Sequence, residues 1–130
     1  MTQFNQILKE REIKVCLLDA AGVLYNGSEG ILPETVKAIE RMQKQDILVG
    51  LLTNNSMQTP AHIQKWLAST GVYVPEGAIL TSGLTLIYDP RLNQQVKNKT
   101  VYVVGRNTSY SYFEEAGAKE VSANLEEADI

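Results

Sequence analysis

An α/β fold built on a mainly parallel sheet is predicted by three observations. Short apolar runs alternate with segments of helical periodicity. Two of these runs, residues 13–18 and 47–52, are almost unbroken in apolar character, as in strands covered on both faces of a parallel sheet. Both end in polar residues suited to chemistry: Asp19 after the first, Thr53-Asn54-Asn55-Ser56 after the second. In a parallel sheet those ends share one edge, the edge where open α/β sheets bind ligands.

Taken in order, residues 2–11 place Phe4, Ile7, Leu8 and Arg11 at helical spacing and predict a short packing helix. The first strand, residues 13–18, is expected inside the sheet beside residues 48–52. Ala20, Ala21 and Gly22 after Asp19 are small, so the backbone can turn sharply and come close to a ligand. Asp19 is then a nucleophile, a metal ligand or no more than the cap of a turn; the stretch alone leaves these readings open. Tyr25-Asn26-Gly27-Ser28-Glu29-Gly30 is rich in turn formers and reads as an exposed flap or hairpin beside Asp19. Pro33 opens a helix with Glu34 in its first turn, where the dipole favours an acid, and Val36, Ile39 and Met42 form its buried stripe.

The second strand, 47–52, leads through the polar cluster to Thr59-Pro60, an N-cap and first-turn pair. The helix that follows turns Ile63, Trp66 and Leu67 to the core and ends at Gly71. His62, with no partner in sight, reads as a surface residue. Residues 72–77 form a loop and 78–81 a short third strand. Ser82 caps a helix that Asp89-Pro90 breaks. Residues 91–99 are polar and linker-like. A fourth strand spans 100–105. Thr108 or Ser109 caps a helix that carries Tyr112, Phe113 and Ala116 and closes at Gly117. The last residues, 127–130, look like the entry to another strand.

Composition narrows the function classes. The 130 residues suffice for one domain with a real core, and 44% hydrophobic with 21% charged residues place the chain in the globular class. Net charge is −3, from 12 basic and 15 acidic residues without a basic cluster, which argues against nucleic acid as a partner. No apolar run approaches the roughly 20 residues of a membrane span, and residues 1–11 lack the apolar core of a signal peptide. The single cysteine, Cys16, lies in the first strand and reads as a small buried hydrophobe. Together these features lead us to expect a cytoplasmic protein. One histidine excludes a multi-histidine zinc site.

Asp19-Ala20-Ala21-Gly22-Val23-Leu24, then Gly27, then Thr53-Asn54-Asn55-Ser56 resemble the first two motifs of the haloacid dehalogenase superfamily. The last of these, with Thr81-Ser82-Gly83 and Val101-Tyr102-Val103-Val104-Gly105, resembles the NagD-like branch of p-nitrophenyl-phosphate and sugar-phosphate phosphatases. The resemblance implies a Rossmann-like sheet with helices on both faces. It implies Asp19 as the nucleophile that forms an aspartyl phosphate, and magnesium held by Asp19 and the backbone carbonyl of Ala21. It further implies phosphoryl oxygens held by the Thr53 hydroxyl and the Asn54 N–H, and a small phosphorylated metabolite as substrate.

Three departures accompany the likeness. The position two residues after the nucleophile, an aspartate in most of these phosphatases, is Ala21. Alanine there resembles the phosphonatase branch, which relies on a cap lysine not identifiable here. Neither the later lysine nor the acidic pair of the magnesium site is found; Lys97 and Lys99 lie in the linker-like stretch. The sequence thus resembles the front of a phosphatase, with residues 1–90 the first part of the core and 91–130 a linker and the start of an inserted cap. Without the returning core strands, residues 13–18 become an apolar edge and self-association is expected. Feeble or absent turnover follows, and the competing class is a non-catalytic module that keeps a phosphate or metal site or works through a partner. A receiver-like flavodoxin fold also carries a strand-end aspartate, but Thr53-Asn54-Asn55-Ser56 speaks against it.

Overall fold

The computed structural model describes residues 6–7, 10–27 and 30–130; Phe4, Leu8, Ser28 and Glu29 lie outside the described residues. Its centre is a three-stranded parallel sheet of β1 (Val15–Asp19), β4 (Leu48–Thr53) and β5 (Ile79–Thr81), in the spatial order β1-β4-β5. Val15 pairs with Leu48 and Asp19 with Leu52; Leu51 pairs with Ile79 and Thr53 with Thr81. Between β1 and β4 the chain makes a small antiparallel hairpin, β2 (Tyr25–Asn26) and β3 (Gly30–Ile31), where the turn-forming composition placed it.

Helices α1 (Pro33–Gln43) and α2 (Pro60–Ser69) both begin with proline in the first turn. There the missing N–H costs nothing and the fixed φ suits the helix. The Thr59 hydroxyl accepts from the His62 N–H at 3.4 Å and lies 2.8 Å from His62 Nδ1, so the exposed histidine serves the helix cap. Ile39 and Met42 of α1 and Ile63 and Leu67 of α2 join Val49, Leu51 and Ile79 in one cluster, with Val72, Val74 and Leu24. Trp66, expected in that core, lies at its margin, with its ring edge-on to Tyr25 of the hairpin at 5.5 Å.

The other face of the sheet is uncovered among the described residues. Successive strand residues point to opposite faces, and the register gathers Val15, Leu17, Leu48, Leu52 and Leu80 on one of them, each between 44% and 54% exposed. The unbroken apolar runs are therefore two-faced strands, but among the described residues only one face has helices on it. The run 13–18 is likewise not interior: β4 is the central strand and β1 an edge. Cys16, on the covered face, is half-buried, and burial raises its thiol pKa, which opposes a thiolate.

Beyond β5 come α3 (Leu84–Tyr88) and α4 (Pro90–Val96), the second occupying the stretch that reads as a polar linker. The Asp89 carboxylate accepts from the Arg91 N–H at 2.9 Å. Asp89-Pro90 thus ends one helix and caps the next, a device that composition alone conceals. A second, smaller core of Val96, Val101 and Ala116, with Leu86, Ile87 and Phe113 against it, lies under β6 (Thr100–Tyr102) and α5 (Tyr110–Glu115). Strand β7 (Glu120–Ser122), not anticipated, pairs parallel with β6. The Tyr102 N–H also donates to Ile130 O at 2.9 Å and the Asp129 N–H to Thr100 O at 2.8 Å, so the last residues lie against β6, but they form a 3-10 turn and irregular chain rather than the strand expected there.

Candidate active site

The site is assembled at the carboxyl edge of the three-stranded sheet, where β1 delivers Asp19 and β4 delivers Thr53. Parallel pairing in this register puts both on the same edge. Asp19 pairs with Leu52, so Thr53 stands one residue further along and on the opposite face by alternation, and no hydrogen bond joins them among the described residues.

The turn after β1 holds Asp19 in the open. Its Oδ1 accepts from the Ala20 N–H at 2.8 Å, so the carboxylate begins the turn as well as standing at the edge. The Leu24 and Tyr25 N–H groups both donate to Ala20 O, at 2.9 and 3.1 Å, and Gly22 N–H donates to Tyr25 O at 2.8 Å. Gly22 takes φ +79°, a conformation that side chains rarely adopt. Buried Leu24 anchors the far side of the turn. Ala21 is exposed and offers a methyl group and a carbonyl.

The turn after β4 is tied from within and from outside. Thr53 is 7% exposed, and its Oγ1 accepts from the Asn55 N–H at 3.3 Å. Asn55 Oδ1 accepts from the N–H groups of Met57 and Gln58, at 2.8 and 3.1 Å, and its Nδ2 donates to Gln58 Oε1 at 3.2 Å. Asn54 is exposed, and its N–H has no acceptor among the described residues. A cavity of about 250 Å³ adjoins this turn, between the hairpin and α2, lined by Leu24, Tyr25, Thr53, Asn55, Gln58 and Trp66. Ala20 reaches that cavity and Asp19 does not line it. Ser82, read from sequence as a helix cap, makes no cap; its hydroxyl crosses to the Asn54 carbonyl. Sequence alone carried no signal for that contact beyond the serine itself.

The arrangement offers an exposed carboxylate at the end of β1 and, at the end of the neighbouring strand, a buried hydroxyl and a backbone N–H without an acceptor among the described residues. Those are the parts that attack or bind a phosphoryl group.

The sequence matches the haloacid dehalogenase-like hydrolase family over residues 16–119. It is 29% identical over 101 residues to the 5'-nucleotidase YutF of Bacillus subtilis, covering 78% of this chain and 38% of that protein. It is 31% identical over 110 residues to a dihydroxyacetone phosphatase of Corynebacterium glutamicum, covering 85% of this chain and 39% of that one. In fold it resembles a possible sugar phosphatase of Cytophaga hutchinsonii, with TM-score 0.73, 22% identity, and 92% of this chain and 41% of that one covered. NagD of Escherichia coli K-12 aligns with TM-score 0.61 and 27% identity over 86% of this chain and 43% of that one. The chain thus spans well under half the length of the relatives it matches. With the motif residues, the sheet and the family match in agreement, the chain belongs to the haloacid dehalogenase-like hydrolases.

Proposed function

We propose that the chain carries the nucleophile and phosphate-binding turn of a magnesium-dependent phosphomonoester hydrolase of the NagD-like branch, with a small phosphorylated metabolite as substrate. The observation that carries this reading is that parallel pairing puts the strand ends bearing Asp19 and Thr53 on one sheet edge. The printed names of the relatives, a 5'-nucleotidase and a dihydroxyacetone phosphatase, support the substrate class. Residues 1–90 belong to the core in this reading and 91–130 lead into the cap.

Asp19 attacks phosphorus: a bond forms from Oδ to phosphorus as the bond to the leaving oxygen breaks. Water then hydrolyses the aspartyl phosphate. The Thr53 hydroxyl and the Asn54 N–H bind the phosphoryl oxygens. Proton transfer is the weak point, because Ala21 can neither protonate the leaving oxygen nor activate the water. Such help contributes about 10²–10⁴-fold. Magnesium takes hard oxygen ligands and one or two carboxylates, so the Asp19 carboxylate and the Ala21 carbonyl suit it in kind. No group of three or more His, Cys, Asp or Glu gathers among the described residues, so the donor set is short in number. Bound there, the ion would offset the charge of the phosphate. A glycerol phosphate phosphatase of Mycobacterium tuberculosis with similar fold is a magnesium complex.

Ala21 also favours a second reading, a non-catalytic module that keeps the phosphate site. A p-nitrophenyl leaving group needs little protonation, so an assay of that ester with magnesium separates the two. Slow hydrolysis lost in Asp19→Asn supports the hydrolase; orthophosphate binding with no Asp19-dependent hydrolysis supports the module. Hydrolysis that survives Asp19→Asn overturns the role given to Asp19. Self-association belongs to the same proposal, because edge strand β1 and the bare apolar face invite pairing. Sedimentation showing a clean monomer at high concentration counts against it. No helix among the described residues is long and apolar enough to cross a membrane; the cytoplasmic setting belongs to the proposal.

A further inference from the structure

Three carbonyls of the turn after β4 are held by donors from distant parts of the chain. The Ser82 N–H donates to Thr53 O at 3.0 Å, and the Ser82 hydroxyl donates to Asn54 O at 2.8 Å. The Tyr112 hydroxyl, from α5, donates to Gln58 O at 2.5 Å and lies 2.7 Å from Thr81 Oγ1. The peptide groups here are planar and trans, so fixing a carbonyl points the next N–H the opposite way. With Thr53 O turned to the β5 side, the Asn54 N–H faces the side on which β1 ends in Asp19. With Asn54 O on Ser82, the Asn55 N–H turns back to Thr53 Oγ1.

Tyr112 secures the other end. It is 2% exposed, and its ring lies against Gly83, where an added Cβ would stand 2.4 Å from ring carbons. Only glycine admits the ring. Burial raises the pKa of the phenol above its ordinary value, so its hydroxyl stays protonated and able to donate. Because Asn55 Oδ1 binds the Met57 and Gln58 N–H groups, a shift of Gln58 is passed to Asn55 and so to Thr53.

We propose that Ser82 and Tyr112 are positioning residues: their hydroxyls lock the peptide planes of residues 53–58, so that the Asn54 N–H is aimed at a phosphoryl oxygen before the phosphate arrives. The proposal rests on the phosphate-binding reading of Thr53 and Asn54. A donor fixed beforehand needs no reorganisation when charge arrives. Neither residue touches substrate; each acts through the turn.

The test uses the full chain with Ser82→Ala, Ser82→Thr and Tyr112→Phe. Two quantities are measured: hydrogen exchange of the amides of residues 54–58, and binding of inorganic phosphate in magnesium buffer followed at the Asn54 amide. Removing either hydroxyl is expected to speed exchange at Met57 and Gln58 about 10-fold and weaken phosphate binding about 5-fold, as for one lost hydrogen bond. The β4 amides should exchange as before, and Ser82→Thr, which keeps the hydroxyl, should restore both quantities. Exchange unchanged in Ser82→Ala and Tyr112→Phe overturns the proposal. So does faster exchange with phosphate binding unaltered. If the wild-type chain binds no phosphate, the phosphate-binding reading fails, and exchange alone still decides whether the two hydroxyls hold the turn. Should Tyr112→Phe not fold, Ser82→Ala and its threonine rescue decide.

Discussion

Two turns leave the carboxyl edge of the sheet, and they are built to different standards. The turn after β4 has a buried hydroxyl, an asparagine bridging three of its residues, and three carbonyls held by Ser82, just past β5, and by Tyr112 of α5. The turn after β1 is closed by its own backbone, with Asp19 and Ala21 both exposed and no side chain from elsewhere reaching Asp19 among the described residues. In the function proposed above, one end of the site is preorganised to grip an anion, and the other presents a carboxylate with no acid beside it among the described residues. Binding and turnover should therefore come apart in this chain.

The largest effect should separate them outright. Asp19→Asn should lower any hydrolysis of p-nitrophenyl phosphate by on the order of 10³-fold, to the buffer background. Orthophosphate binding, measured by calorimetry, should hold or strengthen because a like charge is gone. Parallel loss of both would break the distinction between the two turns. Thr53→Val comes next: it keeps the shape and leaves the half-buried Asn55 N–H without its partner, at a cost of about 1 kcal/mol. A lowered melting temperature and roughly 10-fold weaker phosphate binding are expected. Ala21→Asp should change turnover by less than about 3-fold, far short of the 10²–10⁴-fold of a positioned acid, because no group of three or more His, Cys, Asp or Glu gathers among the described residues to complete a metal site around it. A 100-fold gain would mean that this turn lacks only the acid and that the two turns differ less in their fitness for chemistry.

The smallest effect concerns alkaline pH. Tyr112 has its pKa raised by burial above the ordinary 10.0, so the folded chain holds that proton more tightly than the unfolded one. Its contribution is present below about pH 10 and is lost as pH rises through the raised value. Tyr112→Phe should remove that part of the alkaline decline in stability, measured by denaturant titration at several pH values.

Much of this was legible in the order of residues. Apolar runs ending in Asp19 and in Thr53-Asn54-Asn55 marked two parallel strands, and Thr59-Pro60 marked the start of α2. What was not legible depends on contacts across the chain. Residues 91–99 read as a linker because Asn93, Gln94 and Gln95 are polar, yet Asp89 caps them into α4 and Val96 anchors them. Strand β7 is three residues long with a charged first member, too short for periodicity to register. Ser82 looks like any serine before a helix, and only the folded chain shows its hydroxyl on Asn54. An unbroken apolar run also does not reveal how many of its faces have been covered, which is why Val15 and Leu17 proved half-exposed.

That bare face has a consequence for anyone judging whether the chain is folded. A native protein with Val15, Leu17, Leu48, Leu52 and Leu80 in one open row should bind the fluorescent dye ANS, the usual sign of a molten globule. Here the dye would report a well-packed state. The discriminating signal is near-ultraviolet circular dichroism, because Trp66 and Tyr25 hold a fixed edge-to-face geometry at 89° and molten states lose such signals. Bright ANS fluorescence together with a strong aromatic dichroism band is the expected signature, and Leu17→Glu should dim the first while sparing the second.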